Sequence, residues 1–453
     1  MSVLERLRSE LGDIVDTSAE ALEQARADRS GHRSPGRPLA VVRARSVDDV
    51  QHTMRIASAT RTPVVVRGAG TGLAGAANAG PGQIVLSLTA MDRILEVRPD
   101  DLLAVVEPGI LNATLNARLA EQGVWWAPDP ASREISTVGG NIATGAGGLL
   151  CAKYGVVRDA VLGLDLVLAD GRLLHLGHRS VKGVTGLDVT SLVIGSEGRL
   201  GVVVGATLKL RRLVVGRVCA IAASFGSVRD AAAASAAVTA AGLQPAVMEL
   251  MDARSLAAAH DLLSLPAPAP GAAQLTIQTD GPAALDDAAR IAAVLRTSGG
   301  AVDMTSDPAE GERLLGIRRS MHPAMAALGT TLIEDVSVPR SAMPAMFDEI
   351  ARIERAYGIS IPTVAHAGDG NLHPNFIFDG DEVPPRIWDA AGELFRAALR
   401  LGGTLTGEHG IGMLKSRWLA EELGEDQWEL QRQIVRVFDP LGILNPGKVF
   451  SDA

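Results

Sequence analysis

Glycine is the residue that most constrains this chain. It supplies 49 of 453 positions, and it comes in clusters. Arg67-Gly68-Ala69-Gly70-Thr71-Gly72-Leu73-Ala74-Gly75 follows the β-branched run Val64–Val66, and Ser136–Gly148 and Ile194–Gly201 are of the same kind. Such clusters mark places where the backbone is left-handed or closely approached. The first cluster fits G-x-G-x-x-G at Gly70, Gly72 and Gly75. A dinucleotide fingerprint of the Rossmann kind also needs a helix opening from the loop. Here Asn78, Gly80, Pro81 and Gly82 follow, then a strand from Ile84, so no helix fits. What remains is a nest of consecutive N–H groups suited to an anion, with Arg67 adding charge. A ligand-free glycine hairpin is the plainer reading, but a long loop after a buried strand is costly to hold without a ligand. The second cluster carries small and hydroxyl residues almost alone. It allows close approach of backbone to a flat ring, and a structural turn explains it as well.

Bulk composition narrows the class. The chain is 47% apolar and 21% charged, a globular balance, and its length implies two or three domains. A net charge of -9 without any Lys/Arg block argues against a nucleic-acid partner. Cys151 and Cys219 are the only cysteines. They are too few for an iron–sulfur cluster, which takes about four thiolates, and read as reduced core residues of a cytoplasmic protein. Met1–Arg8 has no apolar signal core, and no run of about 18 apolar residues occurs. No transmembrane segment is expected, and peripheral docking at a membrane is left open.

Leu4, Leu7, Leu11 and Ile14 recur at helical spacing and predict a helical segment over residues 1–34. Residues 35–213 alternate strands with Gly/Pro turns. Ser46 caps a helix with Val50, Met54 and Ile56, and a second helix covers about 111–122. From 214 to 453 the texture changes. Strands near 218–224, 244–250, 274–279 and 301–305 alternate with alanine-rich helices at 228–241 and 282–297, which implies a sheet with helices packed on it. A strand, a helix near 341–357, a histidine-bearing strand pair and two helices complete the chain.

His366-Ala-Gly-Asp-Gly-Asn-Leu-His373 centres on Asp369-Gly370, the strongest two-residue hairpin signal. Folding there pairs 366 with 373 and sets both histidines on one face. Glu408, in Thr406-Gly407-Glu408-His409-Gly410, can add a carboxylate. Two imidazoles and one carboxylate make a catalytic zinc-type ligand set. Two ligand-free strand histidines are the plainer reading. Three of nine histidines in two Gly-rich motifs favour the site.

Together Pro63–Gly75, Ser136–Gly148 with Lys153-Tyr154-Gly155, Lys182–Gly201, His366–His373, Thr406–Gly412 and Asp439–Lys448 resemble the PCMH-type (vanillyl-alcohol-oxidase-like) FAD-binding oxidoreductases. The branch is that of glycolate oxidase FAD subunits, D-lactate dehydrogenases and D-2-hydroxyglutarate dehydrogenase. The resemblance implies an α+β fold: a two-subdomain PCMH-type FAD-binding domain, a ferredoxin-like α+β cap for the substrate, and a helical C-terminal segment returning to the flavin. FAD is expected to be non-covalent, since covalent relatives use a histidine that the pyrophosphate loop lacks here. The resemblance gives the pyrophosphate to Arg67, Gly68, Ala69, Gly70, Thr71 and Gly72. Pro128, Ser132, Gly139, Gly140, Asn141, Thr144, Gly147 and Gly148 would line the flavin. Glu197 and Val203 would lie toward the adenine, Gly201 would also bind the cofactor, and Asn445 would return from the tail. A divalent metal, zinc or manganese, is implied on His366, His373 and Glu408. His409 matches the base and Asn375 a residue near the substrate. Arg318 matches the guanidinium that grips the substrate carboxylate through its planar fork, with Arg319 as a solvated charge.

The implied reaction is FAD-dependent oxidation of a D-2-hydroxy acid. The metal lowers the hydroxyl pKa, His409 takes the proton, hydride goes to flavin, and a protein or quinone other than NAD accepts the electrons. Where glutarate-specific relatives carry lysine this chain has Ile333, followed by Glu334. A monocarboxylate such as D-lactate or glycolate, or a bulkier apolar acid, is therefore expected. Two other readings share the motifs: a non-redox, alkylglycerone-phosphate-synthase-like transferase, and a non-catalytic FAD subunit of a dehydrogenase complex. A homodimer is compatible with all of them.

Overall fold

The computed structural model describes residues 1–380 and 382–450. The chain divides into a first unit of residues 1–148, 155–213 and 408–453, and a second of residues 149–154 and 214–407.

The first unit holds two sheets. In one, Ala40–Arg43 and Val64–Arg67 flank Ile84–Ser87 in parallel, with the short Val15–Asp16 at the edge. Val64, Val65, Ile84 and Leu86 are fully buried, as parallel strands covered on both faces should be. Helices Val3–Leu11 and Val47–Thr60, capped by Ser2 and Ser46, add Leu7, Val50, Met54 and Ile56 to this core. The chain end joins it. Val64 donates its amide to the Ile443 carbonyl at 2.7 Å, and Asn445 donates to Val64 at 2.8 Å. The second sheet is antiparallel, in the order Ile94–Arg98, Leu103–Val106, Val202–Lys209, Val161–Val167, Leu173–Gly177. Between Arg67 and Ile84 no helix opens, so the glycine loop is not a Rossmann turn.

The second unit begins with strand Arg217–Phe225, helix Val228–Ala240, strands Val247–Met251 and Ala273–Gly281, helix Ala284–Thr297 and strand Ala301–Thr305. Its four strands lie in the order fourth, first, third, second, all neighbours antiparallel. This is the ferredoxin-like arrangement. The sheet extends from Val247–Met251 through Thr363–His366 and Asn371–Phe378 to Thr330–Ile333.

Several expectations are corrected. The N-terminal region is not continuously helical: Gly12, at φ 60°, ends the first helix, and the second runs only Ala19–Gln24. Val138–Thr144 within the second glycine cluster is a helix, capped by Thr137, where a loop was expected. Helices Ala253–Leu262, Pro308–Arg319 and Met321–Leu328 do not stand out: the first two carry few long apolar residues at helical spacing, and the third is only 8 residues long with Pro323 in its first turn. The histidine hairpin has a different register: His366 opposes Asn371, and His373 opposes Val364. The amides of Asp369 and Gly370 both turn back to the His366 carbonyl, at 3.2 and 3.0 Å, which lengthens the turn. The slip from 373 to 371 is even, so both histidines keep one face. Among the described residues no helix is long and apolar enough to cross a membrane.

Gly370 sits at φ +90°, and a Cβ there would collide with the Val338 carbonyl oxygen. Gly370→Ala is expected to cost about 2 kcal/mol or more, from strain plus the clash. Thermal unfolding checks this: the midpoint should fall by several degrees, and an unchanged midpoint would contradict the turn geometry.

Candidate active site

The glycine loop keeps its amides unspent. Among the described residues, no backbone N–H from Gly68 to Leu73 donates a hydrogen bond. Ala69 is exposed and its neighbours are half-buried. Successive unpaired N–H groups are what a phosphate needs. Arg67 takes a different position from the one expected. Its guanidinium donates to the carbonyls of Ala77 at 2.8 Å and Ala27 at 2.9 Å, and packs beneath Gly70, which lies at φ +68° with no room for a Cβ. Arg67 braces the loop from below, and its charge adds to the local positive potential.

Polar atoms nearby are also unspent. Asn78 Oδ1, Ser136 Oγ and Asn445 Oδ1 are buried without a hydrogen-bond partner among the described residues. Each such atom costs about 1–3 kcal/mol if nothing satisfies it. They cluster: Gly68 lies against Thr137, and the Asn445 side-chain amide donates to the carbonyls of Ala76 at 3.1 Å and Glu197 at 2.7 Å. A polar, phosphate-bearing cofactor fits this set. Asn141 accepts from Asn112 at 3.2 Å, and Asn112 also donates to the Pro128 carbonyl at 2.9 Å. Gly139 packs on Pro108, Gly148 on Asp129, and Gly147 on Glu408. Thr137 Oγ1 accepts from the Gly140 amide, the Ser132 carbonyl closes a turn, and Thr144 is half-buried at the helix end. Gly201 packs on Leu166, which is also the strand partner of Val203.

Glu197 has a job the sequence does not reveal. It is buried at φ 51°, and its two carboxylate oxygens accept from the amides of Ile411 at 2.7 Å and Gly412 at 2.8 Å. It thereby fixes the loop that carries Glu408 and His409, whose Oε1 and Nε2 lie 3.7 Å apart. Burial pushes its carboxyl up to about 7, against the pull of the two amides. Lys448, also buried, donates to the Asn78 carbonyl at 2.7 Å, and burial draws its ammonium down to about 8.

In the second unit two more buried carboxylates organise the candidate ligands. Glu249, 1% exposed, stands on Val247–Met251 directly opposite His366. Its Oε1 lies 2.6 Å from His366 Nδ1, and its Oε2 lies 2.7 Å from Arg318 Nε. Arg319 points the other way and pairs with Glu312 at 2.7 Å. Asp335, fully buried, accepts from Asn371 at 2.5 Å, from the Gly407 amide at 2.9 Å and from the Thr406 hydroxyl. Its Oδ1 is 3.7 Å from His373 Nδ1. The two imidazole centroids are 5.0 Å apart, with planes at 83°. Each Nδ1 faces a carboxylate, the usual outer-shell pattern of metal-binding histidines. This donor set fits a divalent ion. Asn375 donates to the carbonyls of Pro362 at 3.1 Å and His373 at 2.8 Å, so its amide holds the strand.

Sequence reading missed Glu249, Asp335 and Asn112. The one available signal was a lone carboxylate, Glu249, in an otherwise apolar strand.

The comparisons agree with this anatomy. Residues 38–177 match the model described as "FAD binding domain", and residues 217–449 match "FAD linked oxidases, C-terminal domain". The glycolate oxidase subunit GlcD of Bacillus subtilis is 38% identical over 91% of this chain and 89% of its own. The D-lactate dehydrogenase of Archaeoglobus fulgidus is 34% identical over 90% of each. A substrate-bound p-cresol methylhydroxylase superposes with a TM-score of 0.79 over 99% of this chain and 96% of its own, at 17% identity, which establishes the fold alone. The chain belongs to the FAD-linked oxidase family and has the PCMH-type FAD-binding fold. It is an FAD-linked oxidoreductase.

Two outcomes are expected. Gly70→Ala forces a side chain into the Arg67 guanidinium, so the purified variant should carry less FAD per chain by absorbance, and full FAD occupancy would contradict the loop assignment. The second concerns pH. An acid whose folded pKa is raised, here from 4.5 to about 7, holds its proton more tightly when folded. The stability it contributes is complete below about 4.5 and is lost as pH rises through about 7. Glu197→Gln should flatten the decline of the unfolding midpoint over that window, and an unaltered slope would contradict the assignment.

Proposed function

We propose that the protein oxidises a D-2-hydroxy acid to the 2-oxo acid with non-covalent FAD, and that a protein or quinone other than NAD takes the electrons. One observation carries this: Arg318, Glu249 and His366 form a buried chain with His373 alongside. It joins a guanidinium suited to a carboxylate with imidazoles suited to a metal-bound hydroxyl. Those are the two adjacent groups of a 2-hydroxy acid. Relatives named for glycolate and D-lactate oxidation support the same reading.

FAD bound at the glycine loop would supply the two-electron acceptor for the Cα hydride. A divalent ion, zinc or manganese, held by His366, His373 and Glu408 would supply Lewis acidity at the substrate hydroxyl. Glu408 directly follows Gly407, whose amide Asp335 holds, so chain connectivity favours its membership. Arg318 pairs the substrate carboxylate and fixes its orientation, a contribution that can reach roughly 7–11 kcal/mol. His409 accepts the hydroxyl proton at an imidazole nitrogen. Asn375, through its bond to the His373 carbonyl, keeps that histidine in place. Ile333 pairs with Asn375 across the strands, and Glu334 beside it is buried. An apolar side chain and a buried carboxylate disfavour a second substrate carboxylate, which supports a monocarboxylic substrate of the D-lactate or glycolate kind.

Anaerobic addition of D-2-hydroxy monocarboxylates should bleach the flavin, and L-enantiomers should not. A non-redox transferase or a non-catalytic subunit would bleach with none. His409→Ala should slow bleaching by about 10²–10⁴-fold with FAD still bound, and an unchanged rate removes His409 from the proton role. Exhaustive chelation should stop bleaching and added zinc or manganese should restore it, whereas full activity after chelation contradicts the metal.

A further inference from the structure

We propose that Glu249 is a positioning residue that couples the grip on the substrate carboxylate to metal binding. The inference rests on the hydroxy-acid and metal reading above, and no sequence motif pointed to this residue.

Glu249 and His366 are direct partners across antiparallel strands Val247–Met251 and Thr363–His366, so both side chains stand on one face of the sheet. Arg318 reaches the same carboxylate from helix Pro308–Arg319. The two oxygens are divided: Oε1 serves the imidazole at 2.6 Å and Oε2 the guanidinium at 2.7 Å. Three things follow. With Nδ1–H held by the carboxylate, His366 is fixed in the tautomer that carries its lone pair on Nε2, the form a metal-ligating imidazole takes. Arg318 is held beside Glu249 by an ion pair at its Nε edge, 2.7 Å away without an aligned hydrogen bond, and its Nη fork is the part that would meet an incoming carboxylate. One rigid buried bridge then sets the spacing between the metal ligand and the carboxylate grip. A ligand whose oxygen functions sit on adjacent carbons matches such a fixed spacing. The bridge is also kept dry, since Glu249 is 1% exposed and the Arg318 side chain 12%. A charge held there acts on both partners with little solvent screening.

The test uses the full-length FAD-loaded protein. Zinc or manganese alone is titrated against a chromophoric chelator, and D-lactate is titrated anaerobically against flavin bleaching. Glu249→Gln should weaken metal binding by roughly 10–100-fold and raise the half-saturating D-lactate concentration by at least about tenfold at saturating metal, with FAD content unchanged. Turnover at saturation should fall less than kcat/KM, because the residue acts on positioning. Arg319→Gln, altering only the outward arginine, should leave both affinities at the wild-type value. If Glu249→Gln does not fold, Glu249→Asp replaces it. That variant keeps the charge with a shorter reach and should weaken both affinities by a smaller factor. Loss of both affinities supports the coupling. Unchanged affinities, or loss of only one, overturn it. A wild-type protein that binds no metal also overturns it, and bleaching by D-lactate in that same protein shows separately that the hydroxy-acid reading survives.

Discussion

A buried carboxylate must be met by donors, and three of them hold this protein's functional loops. Glu197 takes the amides of Ile411 and Gly412, Asp335 takes Asn371, Thr406 and the Gly407 amide, and Glu249 takes His366 and ion-pairs with Arg318. Each would be expensive to bury alone. Each therefore enforces one arrangement of the segments that satisfy it. Glycine makes the arrangement sterically possible: a Cβ at Gly407 would run into the Asn371 amide, and one at Gly410 would press on the Glu197 carboxylate. The Thr406–Gly412 motif thus has small residues where carboxylates on distant segments reach its backbone.

Each unit makes a different contribution to chemistry. The first unit offers backbone: unspent amides in the glycine loop and buried acceptors such as Asn445 Oδ1. Such groups are fixed dipoles, suited to a large cofactor that must be held but not reacted upon. The second unit offers side chains on regular strands. His366, His373 and Glu249 all stand on the extended sheet, and strands hold reactive groups more exactingly than loops do.

Much of this was legible in the sequence. The glycine loop without a following helix, the ferredoxin-like strand and helix order, and the gathering of His366 with His373 were all readable because they depend on local spacing. The hairpin register was not. Asp369-Gly370 signals a tight turn, but the backbone there also meets Val338, just past the strand Val336–Ser337, which local spacing does not show. Glu249 was invisible for the same reason. Its partners lie at 318 and 366, and only the sheet order and the placing of helix Pro308–Arg319 bring them to it. Arg67 and Glu197 were legible as site-associated residues, while their actual partners, main-chain groups far along the sequence, were not.

The central claim is that a Cα–H bond of a D-2-hydroxy acid breaks as the flavin is reduced. Single-turnover reduction with D-lactate carrying deuterium at Cα tests it most directly. The account predicts that flavin reduction slows several-fold relative to the protiated acid, and that deuterium on the methyl group has no such effect. Equal rates for the two Cα isotopologues under conditions where reduction is shown to limit, or no reduction by either, would contradict it.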